Sequence, residues 1–256
     1  MKKANVFWVL AAMLFVFYSC VNDKSGNTKL LTKLIETTEN GASVTTLFTY
    51  NGNKIVKAEN GKQQLNYNYT NGLISKIITK NKSDQSIITV DYNYQNEKLI
   101  RVKSSDNYWI NFIHNTDGTI AYERFTLNAN NQEVKLYHGI ISFKDGNLIK
   151  DKRILDDTAV GIVTTKNVSF EYDSKKNPMH SILGFDKLVD QNQLMSINNS
   201  VINVVENSTT NALDQITSSA RLYKSTFEYD TDDYPTVQIN ENTTGNTGYL
   251  KSEYFY

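Results

Sequence analysis

The sequence is poor in the residues that usually carry chemistry. Its 256 residues include one cysteine (Cys20), three histidines (His114, His138, His180) and two prolines (Pro178, Pro235). A lone thiol excludes an internal disulfide, so the stability of the fold must come from packing. None of the histidines lies near another His or Cys at ligand spacing, so no metal site and no cofactor are expected. Charge of one sign is missing as well: 27 basic residues balance 27 acidic ones, with no block of either. A nucleic-acid partner would call for a basic face, and none is expected here. The apolar run Val6 to Tyr18 is too short and too one-sided for a spanning helix.

That run follows Lys2 and Lys3 and ends in Phe17-Tyr18-Ser19-Cys20, the layout of an export signal. A small residue directly before the lone Cys resembles a bacterial lipobox, with Phe17 where Leu is preferred. The resemblance implies cleavage before Cys20 and acylation of its thiol and new amine. The expected organisation is a lipoprotein signal peptide over 1–19, a lipidated tether over 20–29 and one domain over 30–256. Removal of the signal leaves 25 basic and 27 acidic residues, a formal charge of −2. Two or more acyl chains, at about 0.8 kcal/mol per buried methylene, would hold the protein on a membrane. The expected location is the outer membrane, by lipid anchor, either periplasmic or surface-exposed.

What the chain does have is aromatics, 16 Tyr and 11 Phe, set in a repeat. Eight times an i, i+2 pair runs into a polar turn and then an aliphatic stretch. The pairs are Phe48/Tyr50, Tyr67/Tyr69, Tyr92/Tyr94, Phe112/His114, Ile141/Phe143, Phe170/Tyr172, Phe227/Tyr229 and Tyr254/Tyr256. Asn51-Gly52, Asn71-Gly72, Asp117-Gly118 and Asp145-Gly146 supply the positive φ of tight hairpin turns. Alternation such as Leu65-Asn66-Tyr67-Asn68-Tyr69 puts one face in a core and the other in water. The fold predicted is all-β: an antiparallel up-and-down meander of about 14–16 strands, curled or barrel-like.

Phe170-Glu171-Tyr172-Asp173 aligns without gaps to Phe227-Glu228-Tyr229-Asp230, and each copy has a proline six residues past its second aromatic. Those prolines are predicted to open the returning strands. Between Asn177 and Ala220 the rhythm breaks. Leu183 to Val189 read as one or two helical turns, so a short helical insertion is predicted near 183–195, capping or plugging one end of the sheet. Strands are predicted again near Ser200–Glu206 and Leu213–Ser218.

The signal, the tyrosine-rich hairpins, the block Phe170 to Asp186 and the closing Phe227-Glu228-Tyr229-Asp230 with Tyr234-Pro235 together resemble an uncharacterised family of Bacteroidetes lipoproteins. The resemblance implies a porin-like antiparallel β fold and brings no catalytic residues. The repeats are also similar, more loosely, to tyrosine-aspartate repeats of bacterial toxin-like shells.

Few residues remain as site candidates. Trp109 would stack on a sugar if it faces outward; packing is the plainer role. His180, beside the insertion, and Phe185, within it, are the other candidate ligand contacts. His114 fills an aromatic slot and reads as a wall residue, and His138 reads as part of a strand. Asp230, Asp232 and Asp233 gather in one turn as oxygen donors, but the equivalent turn carries Lys175 and Lys176, which favours a solvated loop. Asp157-Thr158-Ala159 resembles a tripeptide O-glycosylated on exported Bacteroidetes proteins, which makes Thr158 a candidate glycosylation site. The expected function is a non-enzymatic binding or scaffold module of the envelope, with a glycan or another envelope protein as partner. The alternatives are a glycan-active enzyme and an integral outer-membrane pore. For the pore speak the aromatic end Tyr254-Phe255-Tyr256 and the strand number.

Overall fold

The computed structural model describes residues 28–156, 159, 161–191, 194–242 and 249–256. Eight hairpins follow one another along the chain. They comprise β1 (Lys33–Thr38), β2 (Ser43–Asn51), β3 (Lys54–Glu59), β4 (Gln63–Thr70), β5 (Leu73–Asn81), β6 (Ile87–Gln95), β7 (Lys98–Ser104) and β8 (Tyr108–His114). The series continues with β9 (Ile120–Leu127), β10 (Glu133–Lys144), β11 (Asn147–Leu155), β12 (Val163–Lys176), β13 (Asn198–Thr210), β14 (Ile216–Tyr229), β15 (Pro235–Asn242) and β16 (Tyr249–Phe255). Each strand pairs antiparallel with its neighbours in sequence, and β1 closes the ring on β16, Lys33 opposite Phe255 and Thr38 opposite Leu250. Closure removes every open edge. The choice left open between curled sheet and barrel falls to a closed barrel of sixteen strands.

The repeat has a physical cause. Each aromatic pair ends an even-numbered strand and points into the lumen, while the polar residues between point outward. At the second member of the pair the register slips: between Thr49 and Tyr50, Asn68 and Tyr69, Asn93 and Tyr94, Ser142 and Phe143, and Glu228 and Tyr229. The returning strand thus carries one extra residue, a bulge that sharpens twist and bends the wall. The polar tip of the second aromatic reaches the other way, to a backbone carbonyl earlier in the chain. Tyr50 donates to the Leu31 carbonyl (2.7 Å), Tyr94 to Ile74 (3.0 Å), Tyr172 to Leu148 (2.6 Å) and Tyr256 to Pro235 (2.9 Å). His114 does the same through Nε2 to the Leu99 carbonyl at 2.8 Å. The aromatic slot is therefore a hydrogen-bonding slot, and imidazole fits it.

Turns alternate between two ends of the barrel. At one end sit the two-residue turns, with Asn71 and Gly72 at φ 52 and 79 and Asp145 and Gly146 at φ 49 and 76. The Asn96-Glu97 turn adopts the same positive φ without a glycine, 49 and 61, and the dipeptide gives no such signal in sequence. The segment after β12 fills the lumen at this end. Its regular part is smaller than predicted, a single 3-10 turn at Phe185–Lys187, which with Leu188 and Val189 brings three of the plug's apolar side chains into the core. Pro235 opens β15 as predicted, whereas Pro178 opens the plug rather than a strand. Leu213 lies in the β13–β14 turn and not in a strand, so these two strands are longer than the sequence suggested.

Candidate functional site

The lumen divides into a half packed around the plug and a half without it, called the open half below. In the packed half Ile182, Phe185, Leu188, Val189 and Met195 of the plug join lumenal Ile55, Ile74, Leu99, Phe112, Ile141 and Leu148 in one apolar cluster. Phe185 is 3% exposed, its ring 6.1 Å from that of Tyr67. It is a core residue and offers no surface to a ligand. Directly beneath the cap the lumen is filled by this packing. A space of about 220 Å³ remains at the plug's margin, near Leu99, His114, Phe143 and Met195. A second, of about 210 Å³, lies at the opposite rim near Gln63, Thr79 and Ile88. Both fall short of the roughly 300 Å³ of an ordinary small-molecule pocket.

One carboxylate sits inside the packed half. Asp190 Oδ2 accepts from the Tyr92 hydroxyl (3.3 Å) and from Gln191 Nε2 (3.0 Å), while its Oδ1 is buried without a partner. Burial raises the Asp190 carboxyl above the usual carboxylate range, against the pull of those hydrogen bonds. Burial likewise pushes Tyr67 and Tyr69 up to about 12.

The open half is built differently. On β8 to β11 Tyr108, Arg124, Tyr137, Arg153 and Tyr122 interleave across the lumenal wall. The Arg124 guanidinium lies 3.9 Å over the Tyr108 ring and 5.8 Å from the Tyr137 centroid, and Arg153 lies 4.3 Å over Tyr137. Arg153 is paired to Asp151 at 3.2 Å and donates from Nε to the Tyr122 hydroxyl, also at 3.2 Å. The Tyr122 hydroxyl donates in turn to Asp151, and burial together with the Asp151 charge raises the phenol's pKa. Gly139 makes this possible. A Cβ there would stand 2.5 Å from the Lys152 carbonyl and from Cζ and Oη of Tyr122. Only the absence of a side chain lets the phenol cross β10 to reach Asp151.

Strand register adds two further lumenal cations. Lys166 on β12 is directly opposite Arg153, and Arg221 on β14 is opposite Val205, which pairs with Val168 and so with Asp151. In the open half β9 to β14 thus present Arg124, Arg153, Lys166 and Arg221 against one carboxylate. On the next two strands of the ring the wall is neutral and polar: Tyr254 donates to Gln238, whose Nε2 donates to Asn240 Oδ1 at 2.7 Å. Glu36 on β1, opposite Ser252, is the lumenal acid of that side.

The outer wall has another character. Lys57 and Lys82 both reach Glu59 at 2.7 Å, Lys76 reaches Asp91 at 3.1 Å, Lys135 Glu123 at 3.0 Å and Lys251 Glu253 at 3.0 Å. Hydrogen bonds from the two lysines hold Glu59 down at about 2. Trp109 faces outward on β8, half-buried and stacked on Phe125 (5.8 Å, 11°), with Arg101 5.8 Å from the indole. His180 is exposed in a turn of the plug segment, apart from the lumenal wall, and His138 pairs with Asp156 at 2.8 Å on the outer face. The acidic turn is taken by lysines: Lys29 meets Asp230 (2.8 Å) and Asp232 (2.7 Å), and Lys175 meets Asp233 (2.5 Å), tying the two duplicated turns together. Among the described residues no three of His, Cys, Asp and Glu converge. Cys20 and Thr158 lie outside the described residues.

The sequence nominated Trp109, His180 and Phe185, and the structure does not bring them together. The arginine–tyrosine wall was missed. Its signal was a charge on a dry face, Arg124 in phase with Ile120 and Tyr122.

No protein-family model and no curated protein matches the chain. Among solved structures it is similar to a porin-like protein from Bacteroides uniformis, at a TM-score of 0.51 and 10% identity over 88% of this chain and 97% of that one. The fold is that of a porin-like β-barrel.

Proposed function

We propose that this protein is a non-enzymatic binding barrel of the cell envelope, standing in water and anchored to the outer membrane through a lipidated Cys20. The observation that carries the reading is the inversion of its two faces. A barrel immersed in lipid needs an outward apolar band, and each Lys or Arg at the bilayer midplane costs about 2–4 kcal/mol. Here the outward face bears Lys57, Lys76, Arg101, Lys103, Lys135 and Lys152, and the apolar cluster lies within. Strands of 6 and 7 residues, β3 and β7, are also shorter than the roughly 9–11 a membrane strand requires.

Lys29 is fixed to the β14–β15 turn, so the chain enters the barrel at its plugged end. The eight residues from Val21 to Thr28 span at most about 30 Å. A lipid on Cys20 then sets the plugged end toward the membrane and the open mouth away from it, toward soluble ligands. Replacing Cys20 with Ser is expected to release the protein from membranes or stall it as precursor. A Ser variant that is processed and still fractionates with membranes would overturn the anchored reading.

An integral pore is the second reading, supported by the likeness to a protein described as porin-like and by the closed sixteen-strand ring. The charged outer wall and the packed plug weigh against it.

A further inference from the structure

The open half of the lumen holds more positive charge than it neutralises. Arg124 and Arg153 lie around one ring, 5.8 and 4.3 Å from the Tyr137 centroid, so their guanidinium carbons are no more than about 10 Å apart. Asp151 is ion-paired with Arg153 and accepts from the Tyr122 hydroxyl. Among the described residues no carboxylate oxygen lies within 4.0 Å of Arg124, Lys166 or Arg221. Arg124 makes one hydrogen bond, from Nη1 to the Tyr137 hydroxyl at 3.3 Å, and its Nε is buried with no acceptor. Enclosed guanidinium without counter-charge is costly unless an anion completes it.

We propose that this wall is a binding site for an organic oxyanion, a carboxylate or phosphate carried on a sugar-sized molecule, seated on Arg124 with Lys166 beside Arg153 as the second cation. The inference rests on the reading of the barrel as a ligand-binding module with an accessible mouth. Arginine suits the task because its planar fork meets two oxygens at once, and Tyr108 fixes that plane by stacking at 3.9 Å. Lysine adds a point charge without a geometric demand. The side-chain amides of Gln238 and Asn240 on β15, three strands round the ring from Lys166 on β12, suit the uncharged hydroxyls of such a ligand.

The test is titration calorimetry on the full-length protein in detergent micelles, with galacturonate, glucose 6-phosphate, inorganic phosphate and neutral glucose as probes. Binding of galacturonate, glucose 6-phosphate or both is expected, weakening as salt rises. Arg124→Gln should weaken it by about tenfold or more and Lys166→Gln by less, with circular dichroism and melting temperature showing both variants folded. Response to galacturonate alone assigns the carboxylate, and to glucose 6-phosphate alone the phosphate. Equal binding of inorganic phosphate, no binding of either charged sugar, or affinity unchanged in both variants overturns the proposal. Glucose binding insensitive to Arg124→Gln overturns it too, but leaves the mouth a ligand site. The anchored-barrel reading stands or falls separately, on Cys20→Ser.

Discussion

At the scale of single residues, most of what catches the eye in this chain is structural. Where the second aromatic of a hairpin is Tyr50, Tyr94, Tyr172 or Tyr256, it is placed by its hydroxyl as much as by its ring, since it donates to a backbone carbonyl. Tyr94→Phe keeps the ring and orphans the Ile74 carbonyl, on a residue that is 0% exposed. Its expected cost is about 1–2 kcal/mol, read as a lower urea midpoint at unchanged slope. Gly139 is constrained by space. With a Cβ 2.5 Å from both a backbone carbonyl and a phenol, Gly139→Ala must push Tyr122 away from Asp151 or shift β11. A loss of about 1–3 kcal/mol is expected, and a variant as stable as the parent would show that the wall yields freely. In the sequence Gly139 sits between His138 and Ile140 with no turn signal around it. The clash that explains it is with residues 17 positions before and 13 after, and only strand pairing reveals it.

At the scale of elements, the hairpins were legible and their ends were not. Alternation and Asn-Gly or Asp-Gly turns fix where strands run, because both are local. The bulges and ring closure depend on neighbours across the sheet, and so does the arginine–tyrosine wall, whose members come from four strands. The plug was legible as a break in rhythm, though its interior charge was not. Asp190 is pushed upward by burial, so its protonated form is the one the folded state favours. A raised folded-state value means that its contribution is fully present below the unfolded value of about 3.9 and is lost as pH rises through the folded one. Asp190→Asn removes that titration. The stability of the variant relative to the parent should therefore increase from pH 4 to pH 8 in denaturant titrations. A difference constant across that range would mean that Asp190 is solvated in the folded protein.

At the scale of the whole molecule, a ring of sixteen strands is compatible with two opposite solvents, and the wall decides between them. A porin-like fold shared at 10% identity says how the chain closes, not what surrounds it. Here the lumen is packed at one end with aliphatic and aromatic side chains, and the exterior carries lysine–carboxylate pairs from β3 round to β16. Such exposed pairs contribute only about 0–1 kcal/mol each, so under the proposed reading their importance lies in marking the surface as water-facing. This central claim is tested most directly by the behaviour of the chain lacking residues 1–20 in plain buffer. Size-exclusion chromatography without detergent is expected to give a monodisperse, β-rich species that produces no conductance when added to planar bilayers. Recovery only from detergent or as aggregate, with discrete channel openings on insertion, would contradict it.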